Sequence, residues 1–515
     1  MALHPQLHLL LPVALPLFLV ARIFYRIWWH PLSHIPGPTL AACSKLYRAY
    51  YDIIRDGEWS AHLHRLHAEY GPVVRVGPNE LHFSNPDAYN DIYGLANSFT
   101  KEPALYRSFG TSGSVFGQLD PHTSQKRRLA LGPLFSRRAI LKLEKAVLQK
   151  HVNLLIGHLA TYEEKKVAAD LHYAIRSLTL DIITSYCFGS CFSATEYPGF
   201  QHPVSTSLEA TIYLCWWFKH MPILRTIADT VPEWIVRAVW PATRGFYDQS
   251  DHLGAQIDAI LEDPAILRQS EHDTMYTYFL ENLTDKKGLP GAGGKPLQTM
   301  TKKEKQETRH WLLHEGLNLR FAGSETVGNA CTTGTFFLLR DEARKKRLVD
   351  ELLAAWPDVE KPMGYEDFEK LPYLTAVIKE SLRLSWGTAT PLPRVIGSTG
   401  GIVDGVPLPP GTIVAMGNTI VNTNPNVFPD PMTFSPERWL EPDMDKYLVA
   451  FSKGPRACLG VNLAWCEMYL IMANLFRKLD LTDDGESSLD DLRYREYFIP
   501  LYRGHHMHAF VKKRE

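Results

Sequence analysis

Apolar positions along the chain follow two patterns, a nearly unbroken block at the amino terminus and a helical periodicity over most of the rest. From residue 42 to residue 382 the apolar residues recur at the spacing of amphipathic helices. Short apolar runs at residues 73–76 and 80–83, and a segment at residues 401–417 that Gly and Pro interrupt, predict strands. The pattern therefore predicts a single, mainly α-helical domain with a minor β-region.

Two long helices are expected in the second half of the chain. Residues 301–340 contain few helix breakers except isolated glycines, which predicts one extended helix. Residues 459–479 show the pattern of a buried helix. A run rich in Gly and Pro at residues 288–296 precedes the first of these helices and indicates a flexible break.

The apolar block at residues 7–29 is long enough to cross a bilayer, which takes about 20 residues of helix. Arg22 and Arg26 can extend to the lipid headgroups, and Trp28 and Trp29 suit the membrane interface. A cleaved signal peptide fits less well, because no Lys or Arg precedes Arg22. The sequence therefore predicts an amino-terminal transmembrane helix.

The chain divides on this interpretation into three parts. Residues 1–29 form a membrane anchor, residues 30–41 a stiff proline-rich spacer, and residues 42–515 a globular domain. The positive-inside rule then places the globular domain in the cytosol.

Composition and motif content argue against several kinds of protein. Lys and Arg together number 55 and Asp and Glu 56, so no basic excess indicates nucleic-acid binding. The seven cysteines are odd in number and scattered, which does not predict a disulfide framework. No Gly-rich dinucleotide fingerprint lies at a strand–helix turn, so the chain is expected to lack a reductase domain of its own.

The strongest motif is FSKGPRACLG at residues 451–460, which has the form FxxGxRxCxG and directly precedes a predicted helix. A helix amino terminus and backbone N–H donors lower a thiol pKa, so Cys458 is a candidate thiolate ligand of a metal. Gly454 and Gly460 allow close approach of backbone to a flat macrocycle. Arg456 can pair with a heme propionate, and Phe451 can shield the sulfur from water.

These residues resemble the signature of the cytochrome P-450 superfamily. The resemblance implies the fold of that superfamily, a heme b cofactor and Cys458 as axial ligand of its iron. The runs at residues 30–38, 392–395 and 434–439 resemble fungal members of the trichodiene-oxygenase type. That resemblance implies secondary metabolism, with a terpenoid, polyketide or alkaloid as substrate.

Glu380 and Arg383 stand three residues apart on a predicted helix and can pair on one face. Alone, this pattern is typical of a weak surface ion pair. The family resemblance adds Arg438 as a third member and implies a buried structural triad near the heme.

The segment AGSET at residues 322–326 places a Gly and a Thr inside the long predicted helix, where both reduce helix stability. In the family this segment activates oxygen, which implies that Glu325 and Thr326 deliver protons. Gly323 is expected to leave space for the oxygen molecule.

Two further arginines are expected at the heme propionates. The family carries a Trp or His four residues before an Arg on one helix; here Arg128 matches the Arg, but Ser124 stands at the earlier position. Arg394, in the run PLPRV at residues 391–395, matches another propionate contact of the family.

The substrate pocket is expected, from family positions, to be lined by residues 106–116, 213–218, 317–326, 387–392 and 497–501. These segments contain few acids or bases, which predicts a bulky apolar substrate.

The favoured function is a monooxygenase of the endoplasmic reticulum membrane that receives electrons from NADPH through a separate diflavin reductase. An isomerase or dehydratase that acts on a peroxide, or a heme-binding protein without catalysis, stays open as an alternative.

Overall fold

The computed structural model describes residues 5–95, 99–284 and 299–514, with side chains from residue 14 to 95, 99 to 280 and 299 to 514. Helices dominate, as predicted. The α-helices are α1 Pro5–Phe24, α2 Thr39–Cys43, α3 Leu46–Ala49, α4 Trp59–Tyr70, α5 Ala88–Tyr93, α6 Pro103–Ser108, α7 Pro121–Leu131, α8 Arg137–Leu143, α9 Lys150–Lys165, α10 Leu171–Phe188, α11 Pro203–Thr211, α12 Leu214–His220, α13 Pro222–Thr230, α14 Glu233–Val239, α15 Arg244–Glu262, α16 Met275–Thr284, α17 Lys302–Leu339, α18 Glu342–Ala355, α19 Tyr365–Phe368, α20 Pro372–Leu384, α21 Asn418–Asn422 and α22 Val461–Lys478.

The strands form four small sheets. They are β1 Val73–Gly77, β2 Glu80–Phe83, β3 Thr100–Lys101, β4 Ala169–Asp170, β5 Arg394–Val395, β6 Gly401–Val403, β7 Val406–Leu408, β8 Ile413–Ala415, β9 Leu479–Asp483, β10 Tyr494–Tyr497, β11 Ile499–Tyr502 and β12 His508–Lys513. The largest sheet has the order β1-β2-β8-β5-β3, and β2 and β8 are parallel. The others are β10-β11, β4-β12-β9 and β6-β7.

The predicted long helices and strands are confirmed within a few residues. A capping box at Thr301 and Glu304 fixes the start of α17, and the helix then runs without a break to Leu339. The Pro- and Gly-rich segment at residues 401–417 contains β6, β7 and β8. The predicted flexible break at residues 288–296 lies outside the described residues.

Close contact between α10 and α17 forms the centre of the core. A Cβ atom on Gly323 would lie 2.4 Å from the Ile183 side chain, and one on Gly328 would lie 3.0 Å from Arg176. The Thr179 hydroxyl donates to the Ser324 carbonyl over 2.6 Å across the same contact. The glycines of α17 therefore serve helix packing here. Gly323 also lines the large internal cavity, so its expected role in leaving room for oxygen stays a prediction.

Among the described residues, no helix is both long enough and apolar enough to cross a membrane, and this includes the amino-terminal helix. The predicted transmembrane helix is thus not supported.

The proline-rich spacer packs on the globular domain. Leu32 is buried, and the Pro36 carbonyl accepts a hydrogen bond from the Arg75 N–H over 2.8 Å at the edge of β1. The Arg75 side chain also donates to the Arg26 carbonyl over 2.9 Å. The spacer is therefore attached to the first strand at Pro36, and Arg75 also joins that strand to the preceding segment.

Candidate active site

The cysteine loop, residues 451–460, forms part of the wall of a large internal cavity. The Cys458 side chain is exposed to this cavity, and Phe451, Arg456 and Gly460 line it as well. The Cys458 N–H donates to the Phe451 carbonyl over 2.8 Å, which closes the loop on itself. The loop thus presents one sulfur atom to the cavity from a fixed backbone.

The two glycines of the cysteine loop have different roles. Gly454 has a φ of +69°, and a Cβ atom there would lie 2.1 Å from the Tyr93 carbonyl oxygen at the end of α5. Gly454 therefore allows the loop to pack on α5, which corrects its expected role beside a macrocycle. Gly460 does line the cavity, and the nearest neighbour of a Cβ atom there would be Phe135 at 3.9 Å.

The thiol pKa differs from expectation. Burial raises the pKa of Cys458 above its usual value, while the Gly460 N–H and the positive charge of Arg128 offset part of this rise. The expected lowering of the Cys458 pKa by the helix terminus and backbone N–H donors is thus present at Gly460, but burial outweighs it. A cation at the sulfur would have to stabilise the thiolate.

Four basic side chains lie close enough together for their charges to shift one another's pKa values. Burial lowers the pKa of Lys101 well below its usual value, and the charges of Arg394, Arg456 and Arg128 lower it further. Burial, followed by the charge of Arg394, lowers the pKa of Arg456 to about 10. We call Lys101, Arg128, Arg394 and Arg456 the cation cluster.

The cation cluster has no carboxylate partner within ion-pair distance among the described residues. Arg456 donates to the Ser124 hydroxyl, and Lys101 donates to the Phe116 carbonyl over 2.6 Å. Arg394 donates to the Tyr106 hydroxyl over 2.7 Å and does not line the cavity, whereas the other three cluster members do. Buried cations without a counter-charge are unfavourable, so the cluster suits an anionic group with more than one carboxylate.

The sulfur and the cation cluster together fit heme. Cys458 offers an axial ligand, and three cavity-lining cations offer partners for the propionates. The departure from the family at Ser124 has a physical explanation, since its hydroxyl accepts a hydrogen bond from Arg456. Lys101 was missed by sequence reasoning, because a lone Lys on a two-residue strand carries no motif.

Glu325 and Thr326, the predicted proton-delivery pair, point in different directions from the same helix, α17. Thr326 lines the cavity, and its hydroxyl donates to the Ala322 carbonyl over 2.9 Å. Glu325 is buried behind the cavity wall, with its Oε2 3.4 Å from the Arg176 Nε. Burial raises the pKa of Glu325, although the charge of Arg176 opposes this rise. Adjacent helical positions point about 100° apart, so the two side chains do not meet directly.

The structure brings Glu380, Arg383 and Arg438 together; Glu380 and Arg383 are fully buried, and Arg438 is partly exposed. Two hydrogen bonds of 2.8 and 2.7 Å join Arg383 to Glu380, and Arg438 Nε lies 3.1 Å from the same carboxylate. The Trp439 indole N–H and the Ser435 N–H donate to Glu380 as well, each over 2.8 Å. Both carboxylate oxygens therefore have several partners.

The cavity has a volume of about 1230 Å³, and all five predicted pocket segments contribute to it. Trp217 and Phe218 line the cavity, whereas Trp216 is buried beside it and donates to the Glu496 carbonyl over 2.7 Å. Sequence reasoning missed a further wall between residues 224 and 250, which includes Phe246 and Ser250. Amphipathic helices carry no signal that tells a cavity wall from ordinary core.

The cavity is more charged than the sequence analysis predicted. Glu315, Arg320 and Glu467 line it in addition to the cation cluster, and all three are buried. Burial raises the pKa of Glu315 to about 7. The prediction that the pocket contains few acids or bases is therefore wrong.

Comparison with known proteins agrees with this geometry. Residues 49–495 match the family model described as Cytochrome P-450. A cytochrome P-450 monooxygenase of Sordaria araneosa is 32% identical over 507 residues, covering 95% of this chain and 94% of that protein.

Two relatives carry more specific names. The N-acetyltryptophan 6-hydroxylase of Emericella nidulans is 32% identical, over 92% of this chain and 91% of its own length. The conidiogenone synthase of Penicillium rubens is 30% identical, over 95% of both chains.

Proposed function

This chain belongs to the cytochrome P-450 family and is a monooxygenase, and from that premise we propose its reaction. It inserts one atom of O2 into a bulky, mainly apolar secondary metabolite, by hydroxylation or epoxidation. Electrons come from NADPH through a separate diflavin reductase. Terpenoids, polyketides and alkaloids are the substrate classes included in this proposal.

One observation carries the proposal: the Cys458 sulfur faces a cavity that also holds three cations without carboxylate partners among the described residues. Cys458 would hold the heme iron, and Arg456, Arg128 and Lys101 would hold the propionates, with Arg394 behind them. Bound heme supplies the activation of dioxygen and the transfer of one of its atoms. The protein residues then have to exclude water, orient the substrate and supply protons.

Thr326 and Glu325 have separate tasks in this proposal. The Thr326 hydroxyl faces the cavity and can hold a proton donor near the reacting oxygen. Glu325 acts as the proton reserve, since burial raises its pKa. Because its carboxylate points toward Arg176, transfer into the cavity needs a bridging water or a rotation of the side chain.

Spectra of the reduced carbon monoxide complex test the ligand assignment. The wild type should show the long-wavelength Soret band of a thiolate ligand, and Cys458→Ala should lose it. Cys466→Ala, at a buried cysteine of α22, is the matched control and should keep it. Retention of the band in Cys458→Ala would refute the assignment.

Turnover with added reductase tests the reaction class. NADPH and O2 should be consumed in step with an oxygenated product found by mass spectrometry of the host's metabolites. A relative named as a hydroxylase supports insertion into a C–H bond. Conversion of a peroxide without NADPH would favour the isomerase or dehydratase alternative instead.

We also propose attachment to the endoplasmic reticulum membrane through the amino-terminal segment, with the globular domain in the cytosol. Large apolar side chains are exposed there, among them Leu17 at 70% and Trp29 at 71%. A chain that lacks residues 1–29 should shift to the soluble fraction and retain heme. Unchanged membrane association would show that another surface is responsible.

A further inference from the structure

A second cationic position in the cavity is unexplained by the heme. Arg320, on α17, lines the cavity although its side chain is buried, with a relative exposure of 4%. Its Nε and Nη1 donate to no acceptor in the described part of the chain. A buried guanidinium without acceptors is costly, so a cavity-lining one indicates an anionic ligand.

Arg320 is electrostatically separate from the cation cluster. Lys101 responds to the charges of Arg394, Arg456 and Arg128, whereas the charge that acts on Arg320 is that of Glu325. Burial lowers the pKa of Arg320 to about 10, so the guanidinium stays charged at neutral pH. The propionates that the cation cluster suits would therefore leave Arg320 unpaired.

Glu325 is an incomplete partner for Arg320. The two side chains form no ion pair within the described residues, and the Glu325 carboxylate is nearest to the Arg176 Nε, at 3.4 Å. Arg176 in turn holds Glu209 over 2.7 Å. Burial raises the pKa of Glu325, which further weakens it as a counter-charge.

We propose that the substrate carries a carboxylate on an apolar body, and that Arg320 binds this carboxylate inside the cavity. This inference rests on the proposed monooxygenase function. Leu317, Phe321 and Val327, on the same helix, add apolar side chains to the cavity wall. A single guanidinium suits one carboxylate.

The position of Arg320 also limits where oxygen is inserted. Arg320 and Thr326 lie six residues apart on α17, which corresponds to roughly 9 Å along the helix axis. A substrate bound through its carboxylate at Arg320 extends toward Thr326. Oxidation is therefore expected several bonds from the carboxyl carbon and not on the carbon next to it.

Binding of matched ligand pairs tests the proposal in the full-length, heme-loaded protein. The probes are abietic acid and dodecanoic acid, each compared with its methyl ester, and the readout is the change in the heme spectrum on titration. In the wild type the acids should bind roughly tenfold or more tightly than the esters. Arg320→Gln should weaken acid binding roughly 10- to 100-fold and leave ester binding nearly unchanged.

Two further variants make the test specific. Arg320→Lys keeps the charge and should retain part of the preference for acids. Arg127→Gln is the matched control, because Arg127 is equally buried, also has unpaired Nε and Nη1 atoms among the described residues, and does not line the cavity. It should leave the preference for acids unchanged.

Three results would overturn the proposal: equal binding of acid and ester by the wild type, no binding of either acid, or an unchanged preference in Arg320→Gln. Heme content and the carbon monoxide spectrum are measured first in every variant. A missing thiolate band would instead refute the proposed heme-thiolate function, so the two failures are distinguishable. If Arg320→Gln does not fold, Arg320→Lys still decides, since loss of preference there contradicts a charge-based site.

Discussion

Two buried glutamates, Glu380 and Glu325, show how differently this protein treats a carboxylate in its interior. Glu380 accepts hydrogen bonds from two arginines, an indole and a backbone N–H. Glu325 has one arginine nitrogen at 3.4 Å, and its Oε2 accepts no hydrogen bond among the described residues. Both side chains are shielded from solvent, so burial alone does not separate them.

The difference lies in how completely each charge is satisfied. A fully satisfied buried network stabilises one arrangement and resists change, whereas a partly satisfied group can accept a proton or another partner. The Glu380 network therefore fits the predicted structural role, and the Glu325 region, together with Arg320, is where we propose that protons and a ligand bind. Four substitutions test this contrast, from the largest expected effect to the smallest.

Glu380→Gln should have the largest effect. It leaves Arg383 and Arg438 without their counter-charge in the interior, and loss of one partner of a buried pair costs about 3–5 kcal/mol. Heme content and the urea midpoint of unfolding should both fall steeply. Glu366→Gln, which changes an exposed pair with Arg137, is the control and should cost under about 1 kcal/mol. A stable Glu380→Gln protein with normal heme content would contradict the structural role.

Trp439→Phe should have an intermediate effect. It removes a single donor, the indole N–H that lies 2.8 Å from Glu380, and leaves the arginines in place. The expected loss in free energy of unfolding is about 1–3 kcal/mol. Trp234→Phe, at an exposed position, should change stability little. Equal midpoints in the two variants would show that the network tolerates the loss of one of the two donors to Glu380 Oε2.

Glu325→Gln should change stability by on the order of 1 kcal/mol, and the change should depend on pH. The folded-state pKa of Glu325 is raised by burial, so the protonated form contributes stability at low pH that is lost as pH rises through that pKa. Urea unfolding is measured at about pH 5 and about pH 8. The free energy of unfolding of the variant, relative to that of the wild type, should be higher at about pH 8. The opposite trend would indicate that Glu325 is held as a firmly paired carboxylate.

Thr326→Ala should have the smallest effect on stability, because little volume is lost. Product formed per NADPH should fall while hydrogen peroxide rises, since the cavity loses a hydroxyl that holds the proton donor. Thr332→Ala is the matched control on the same helix: its hydroxyl makes the same type of bond, to the Gly328 carbonyl at 2.8 Å, but it does not line the cavity. A parallel fall of NADPH use, peroxide and product would indicate a binding or folding defect instead.

Much of the fold and half of the site follow from local sequence. The cysteine loop and the Glu380 pair each lie within a few residues, so spacing alone brings them together. The start of α17 was predictable because Thr301 and Glu304 cap it locally.

Other features depend on contacts between distant residues and left no sequence signal. Lys101 belongs to the cation cluster because of the sheet that places β3 beside β5. Gly323 faces Ile183 because of the rotation of α17 about its axis. The missing acceptors of Arg320 are a property of everything around it, which no pattern within α17 encodes.

The cation cluster has a consequence for how the protein is made. Lys101 and Arg128 are synthesised long before Cys458. A heme caught by the first half of the chain would lack its axial ligand, because that ligand does not yet exist. Domains generally fold as units once their chain is available, and contacts this distant in sequence form slowly. Stable heme capture is therefore expected only after Cys458 has been synthesised, so the supply of cofactor from that moment decides how much of the newly made chain becomes holoprotein.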